Sequence, residues 1–395
     1  MQRYPGLDLL RAIAILWVLL FHGVVAGIYS PVPAVARWGW MGVDLFFVLS
    51  GYLIGSQLLR TCAAGTKLAI GQFYWRRALR ILPAYLVVVS CYFALPGFRE
   101  TSDIQPLWQF LTFTENLLID YSRDKAFSHV WSLCVEEHFY LLFPVLVWWL
   151  RRRSSWRTTA SVCAVVLVGG MFLRGYVRLH GLGAGPEVTG DPSFRSALYF
   201  QKIYYPSYMR LDGLLAGVVL AAMKWFRPAI WRKWMNLGDL LLVLGLAGIA
   251  GAIWTFQDRF DFWPTVLGYP LLALGLASIV AAGVSPHCVI GNLRVPGAKG
   301  VATIAFSLYL SHKMTWQIGQ RYLSGLVAGD SLERFLLFGL AAFVVGTLLY
   351  WVVERPFLLL RDRIDAWFES KSAAAQQGVE TVPILTGLAE ETERN

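Results

Sequence analysis

The chain carries ten apolar runs of roughly 17–22 residues, the length at which a single helix crosses a bilayer. They cover approximately residues 9–28, 39–58, 81–97, 130–150, 158–178, 206–224, 236–255, 263–283, 300–320 and 333–353. Only 15% of the 395 residues are charged and 56% are hydrophobic, against about 25% charged in a soluble domain. The expected fold is therefore all-α, a polytopic transmembrane helix bundle. Seventeen Trp and 17 Tyr suit interfacial belts.

The net charge of +10 does not point to nucleic acid, because the cations lie in short clusters between apolar runs. The clusters span Arg60–Arg80, Arg151–Arg157, Lys224–Lys233, Arg294–Lys299 and Arg355–Arg363. They occupy alternate loops, so the positive-inside rule makes that side, and both termini, cytoplasmic. The first run reads as a retained span, since it contains Arg11 and His22 and lacks a clear small-x-small cleavage site. Residues 1–365 are expected to form the membrane domain and 366–395 a disordered cytoplasmic tail, which is small, polar and mildly acidic. No soluble second domain is expected.

Ionisable side chains inside apolar runs are expensive and mark function by default. Arg11 and His22 are eleven positions apart, three turns plus roughly 20°, so they share one face of the first helix about 16 Å apart along its axis. The assigned topology puts His22, Asp44, His129, Glu136, Glu137, His138, Arg210, Asp212 and His312 at similar depth, on the external side of the midplane. Such groups offset one another's charge by meeting in a shared cavity, or they form ion pairs that hold helices together.

On the cytoplasmic side, Arg76 and Arg80 stand four apart with Arg77 beside them, among Phe73, Tyr74 and Trp75. This pattern suits a phosphate-rich ligand with a flat ring, and equally an interfacial anchor. No histidine pair stands three or four apart and there is no HExxH, so no metal is expected. The cysteines Cys62, Cys91, Cys134, Cys163 and Cys288 form no CxxC pair and read as small buried hydrophobes. Gly181, Gly183 and Gly185 read as a flexible external turn.

Seven segments in order resemble the integral-membrane acyltransferase-3 family, bacterial O-acetyltransferases of surface polysaccharides and related acceptors. RYPGLDLLRAIAILWVLLFHG (3–23) is similar to its Arg-x10-His first helix, and GVDLFFVLSGYLIG (42–55) to its second. FYWRRALRILP (73–83) matches FYxRRxxRIxP, and HVWSLCVEEHFYLLFP (129–144) resembles WSLxVEEQFYLxxP with His138 in place of Gln. YMRLDGLLAG (208–217), SLYLSH (307–312) and ERPF (354–357) complete the series. A periplasmic domain that some members append is not expected here.

The resemblance implies transfer of an acetyl group from cytosolic acetyl-CoA to a hydroxyl of a carbohydrate or lipid-linked glycan, at the outer face of the bacterial inner membrane and in contact with its lipid. His22 is then the expected general base, since a neutral imidazole can take a hydroxyl proton near pH 7. Glu136 or Glu137 would orient it or stabilise the imidazolium. Arg76, Arg77 and Arg80 would hold the donor's phosphates and Arg11 would guide its arm inward. Asp44, Arg210, Asp212 and His312 would bind acceptor and donor. A transporter or flippase using the same charges is the alternative from another class.

Overall fold

Each of the ten apolar stretches is helical in the computed structural model, which describes residues 4–28, 33–123, 125–153, 156–182, 192–322, 325 and 331–380. The principal helices are α1 (Pro5–Val25), α2 (Met41–Ala63), α3 (Ile70–Ala94), α4 (Trp131–Arg153), α5 (Trp156–Tyr176) and α6 (Asp212–Phe226). They continue as α7 (Pro228–Asn236), α8 (Gly238–Thr255), α9 (Tyr269–Val284), α10 (Ala298–Tyr322), α11 (Leu332–Leu349) and α12 (Arg355–Glu380). Among the described residues there is no strand. Gly183 and Gly185 of the expected turn, and residues 381–395 of the tail, lie outside the described residues.

By length and apolarity, eight described helices can cross a bilayer on their own: α1–α5, α8, α9 and the α11–α12 run. The two remaining stretches depart for different reasons. Helix α6 has 15 residues, about 22 Å of rise against a hydrocarbon core of about 30 Å. It breaks at Arg227, before Pro228, and bends by 111° into α7. Helix α10 is long enough at 25 residues, but Ser307, Ser311, His312, Lys313, Thr315, Gln317 and Gln320 make it too polar. Helix α3 starts at Ile70, eleven residues before the apolar run, so Arg76, Arg77 and Arg80 all lie within it.

Helix α2 is the axis of the bundle: 78% of its most apolar stretch is buried, against 11% for α5 and 17% for α8, which face outward. It crosses α6 at backbone distance. A Cβ added at Gly51 would sit 2.1 Å from the Leu214 carbonyl oxygen, and one at Gly217 would sit 2.2 Å from that of Val48. Glycine is required on both sides, as expected where dispersion rather than the hydrophobic effect joins helices in lipid. Similar contacts seat α1 on α2 (Gly42 against Ala14) and on α9 (Gly6 against Gly283). Helix α12 continues from α11 through a π turn at Tyr350–Glu354, where the buried Glu354 accepts a 2.7 Å hydrogen bond from Ser307 of α10.

Gly51→Val forces the α2–α6 backbones apart, because the clash is with a carbonyl and not with a flexible side-chain tip. It should destabilise the protein by about 1–3 kcal/mol or more. Thermal unfolding of the detergent-solubilised chain measures this, and an unchanged midpoint would contradict the crossing.

Candidate active site

The two ends of the bundle carry different chemistry. The near end holds the start of α1, the start of α3 and the α12 contacts. The far end holds the last turn of α1, the start of α4 and the middle of α10.

At the far end three histidines from three helices meet. His22 Nδ1 lies 2.8 Å from His312 Nε2, with the rings stacked at 4.9 Å between centroids. The His129 ring stands edge-on to both, 6.0 Å from His22 and 5.1 Å from His312. His312 Nδ1 is directed at the Tyr309 carbonyl at 2.8 Å and that of Leu308 at 3.2 Å, so it carries the proton. In a neutral imidazole the other nitrogen is then an acceptor. His22 Nδ1 must therefore be the donor in the pair, and His22 Nε2 keeps a lone pair. His22 is part-exposed, whereas His129 and His312 are buried.

The chain fixes this cluster by local means. His129 sits in the single turn Ser128–Val130, entered from Phe127 at φ +60°. A left-handed phenylalanine is strained and persists only where its surroundings over-determine it. Here Phe127 stacks on Tyr92 at 4.3 Å, and its N–H donates to Glu100 Oε2 at 3.1 Å. The Tyr309 hydroxyl donates to the His129 carbonyl at 2.6 Å and lies 2.6 Å from Ser132 Oγ. Both ring nitrogens of His129 are shielded from water, with no partner within hydrogen-bond geometry among the described residues. Lys313, next to His312, lies within electrostatic reach of all three rings. Glu100 and Glu115, in the loop between α3 and α4, lie within its electrostatic reach, and burial pushes the Glu115 carboxyl well above the usual range, with Lys313 opposing.

Beside this cluster lie two buried ion pairs. Arg210 Nη2 binds Asp44 Oδ1 at 2.7 Å. Arg174 grips Asp212 with two bonds, at 2.7 and 2.9 Å. Asp44, Arg210 and Asp212 are thus neutralised within the protein, and Arg174 is the member the sequence reading passed over. It stands inside the fifth apolar run, the same signal that singled out Arg11. His138 Nδ1 lies 2.6 Å from Ser207 Oγ, which also accepts from Asn116 Nδ2 at 2.8 Å.

At the near end the arginines separate. Arg76 pairs with Asp365 of α12 at 2.8 Å, and Gln72 donates to the same carboxylate at 3.2 Å. Arg77 stacks over Tyr140 at 4.8 Å, between α3 and α4. Arg11, 3.8 Å from Asp8, lies within electrostatic reach of Arg77 and Arg80. Neither Arg77 nor Arg80 has a carboxylate within ion-pair distance among the described residues. Tyr140 donates to Glu136 Oε2 at 2.5 Å, with Ser50 Oγ 3.1 Å from the same hydroxyl. Glu136 and Glu137 act electrostatically on Arg77. The group that hydrogen-bonds His22 is His312, not either glutamate. Among the described residues, no three His, Cys, Asp or Glu side chains are grouped to hold a metal.

Membrane-crossing helices thus surround a histidine pair at one end of the bundle, and a separate cationic mouth opens at the other. The chain belongs to the acyltransferase-3 family: its profile, described as an acyltransferase domain, matches residues 4–355. O-acetyltransferase OatA of Staphylococcus aureus (strain NCTC 8325 / PS 47) is 28% identical over 336 residues, 78% of this chain and 50% of the relative. Putative O-acetyltransferase SACOL0978 of Staphylococcus aureus (strain COL) is 28% identical over 339 residues, with 79% and 50% covered. The chain thus spans about half the length of these curated relatives. No solved structure matches it.

Arg174→Met leaves Asp212 buried without a counter-charge and should cost about 3–5 kcal/mol. The double variant Arg174→Met with Asp212→Leu should recover most of that loss. Thermal unfolding of the three proteins in detergent measures it, and additive losses would refute the pairing.

Proposed function

We propose that the chain transfers an acetyl group from cytosolic acetyl-CoA to a hydroxyl of a carbohydrate or lipid-linked glycan at the external face of a bacterial inner membrane. The proton pattern of the His22–His312 pair carries this reading. An alcohol needs a base to become a nucleophile, and His22 Nε2 is a part-exposed imidazole nitrogen with its lone pair free. The names of the relatives support O-acetylation, and the positive-inside rule puts the near end, with both termini, in the cytoplasm.

In the proposed step His22 Nε2 accepts the acceptor's hydroxyl proton while the oxygen bonds to the acyl carbon. The acyl–sulfur bond breaks, and the imidazolium returns the proton to the departing sulfur. His312 holds His22 in the productive tautomer, as the orienting member of a triad does. It accepts the Nδ1 proton's hydrogen bond through Nε2, because its own Nδ1–H is committed to backbone carbonyls.

The near end fits the donor. Arg77 and Arg80 are half-buried guanidiniums without carboxylate partners, and phosphate oxygens are their natural complement. Bound there, acetyl-CoA supplies an activated thioester. Arg11 continues the cationic lining inward, while Glu136 and Glu137 balance it from α4. Arg76 contributes mainly by holding α12 through Asp365.

Three outcomes follow. Envelope glycans from cells expressing the chain should gain the mass of an acetyl group by mass spectrometry, and His22→Ala should remove it without lowering the amount of folded protein. Normal acetylation in that variant would overturn the assignment. His312→Phe should slow transfer by about a hundredfold to ten-thousandfold, with partial recovery in His312→Gln, whose carbonyl can still accept from His22. Arg77→Ala with Arg80→Ala should weaken acetyl-CoA at least tenfold by calorimetry, about 1.4 kcal/mol. Arg76→Ala should weaken it less, and unchanged affinity in the double variant would reject the donor site.

A further inference from the structure

Arg259 follows α8 at the far end, and among the described residues no carboxylate lies within ion-pair distance of it. Its guanidinium lies against four rings: Trp40 and Tyr204 at 4.9 Å each, Phe200 at 5.2 Å and Tyr199 at 5.7 Å. Stacking satisfies the faces of a guanidinium. Its N–H groups point outward in the plane and still need acceptors. Nε and Nη2 are both shielded from water and meet no hydrogen-bond partner among the described residues. These two nitrogens form one edge of the fork, the edge that grips a carboxylate or phosphate with two parallel bonds.

The nearby buried carboxylates are already paired. Asp44 is taken by Arg210 and Asp212 by Arg174, which leaves one positive charge over in the buried aromatic layer. The acidic residues next to Arg259 in sequence do not supply the counter-charge. Asp258 accepts from the Phe260 N–H at 3.2 Å, and Asp261 is exposed and lies 3.9 Å from Arg195. The layer also leads towards the histidines: Tyr204 packs on Trp131 at 4.8 Å, two residues beyond His129.

We propose that Arg259 is an oxyanion hook for the external substrate, taking a carboxylate or phosphate that the acceptor carries while another part of it reaches His22. This rests on the reading of the far end as the acceptor side. An arginine edge has donors only, and the surplus positive charge selects an anion over a neutral sugar. The acceptor is therefore anionic, either an acidic sugar or a glycan joined to lipid through phosphate.

The full chain in detergent, with Arg77→Ala and Arg80→Ala to remove the proposed donor site, is titrated with glucuronate, inorganic phosphate and glucose. Tryptophan fluorescence is the readout, because Trp40 packs on Arg259. A saturable change with glucuronate or phosphate and none with glucose is expected, weakened at least tenfold by Arg259→Met and by a smaller factor by Arg259→Lys. Tighter glucuronate would indicate an acidic sugar, and tighter phosphate a lipid-linked acceptor. No response to either anion, or an unchanged response in Arg259→Met, overturns the hook. Should Arg259→Met fail to fold by thermal unfolding, Arg259→Lys and Arg259→Gln decide in the same way. Acetyl-CoA affinity of Arg259→Met, measured with Arg77 and Arg80 intact, should stay within threefold of the parent. Failure of the parent to bind acetyl-CoA would overturn the donor reading alone and leave the anion titration valid.

Discussion

A guanidinium or a carboxylate left alone in hydrocarbon is costly, and a chain keeps one unpaired only where function uses it. The far half of the bundle is organised around that constraint. Asp44 on α2 and Asp212 on α6 are buried, so each needs a cation at hydrogen-bond distance. Arg210, just before α6, and Arg174, on α5, meet this need. The two pairs tie α5 and α6 to the central helix, and the close α2–α6 crossing through Gly51 and Gly217 keeps them aligned. With these charges settled, His22 of α1, His129 of the turn before α4 and His312 of α10 meet around hydrogen bonds and ring contacts.

His312 gives its one proton to backbone carbonyls of its own helix, so only a lone pair faces His22. A short hydrogen bond between two neutral imidazoles then has one possible direction. Proton placement in the site follows from the α10 backbone, and not from a carboxylate as in a triad.

Much of this was legible in the amino-acid sequence, because membrane spans are long and their polar residues conspicuous. Alternating cationic loops put His22 and His312 at one depth although 290 positions separate them. Depth alone does not show which groups touch. Asp44, Arg210 and Asp212 stand out as charges in apolar runs, but their partners depend on helix rotation, which apolar runs without periodicity do not encode. Arg76 and Arg77 are adjacent and were read together, yet 100° of helical rotation sends one to α12 and the other onto Tyr140. Helix α10 is the opposite case. Its polarity hides it from a hydropathy test, and that polarity is what brings Ser307, His312 and Lys313 into the interior.

The link between Arg76 and Asp365 gives α12 a place in the near-end architecture. Arg11, Arg76, Arg77 and Arg80 crowd one mouth, and like charges at that spacing repel. Asp8 and Asp365 are the anions at ion-pair distance there. Helix α12 is thus a counter-charge carried on a lever: wherever it moves, the electrostatic potential at the mouth moves with it, without any change in the helices that form the wall.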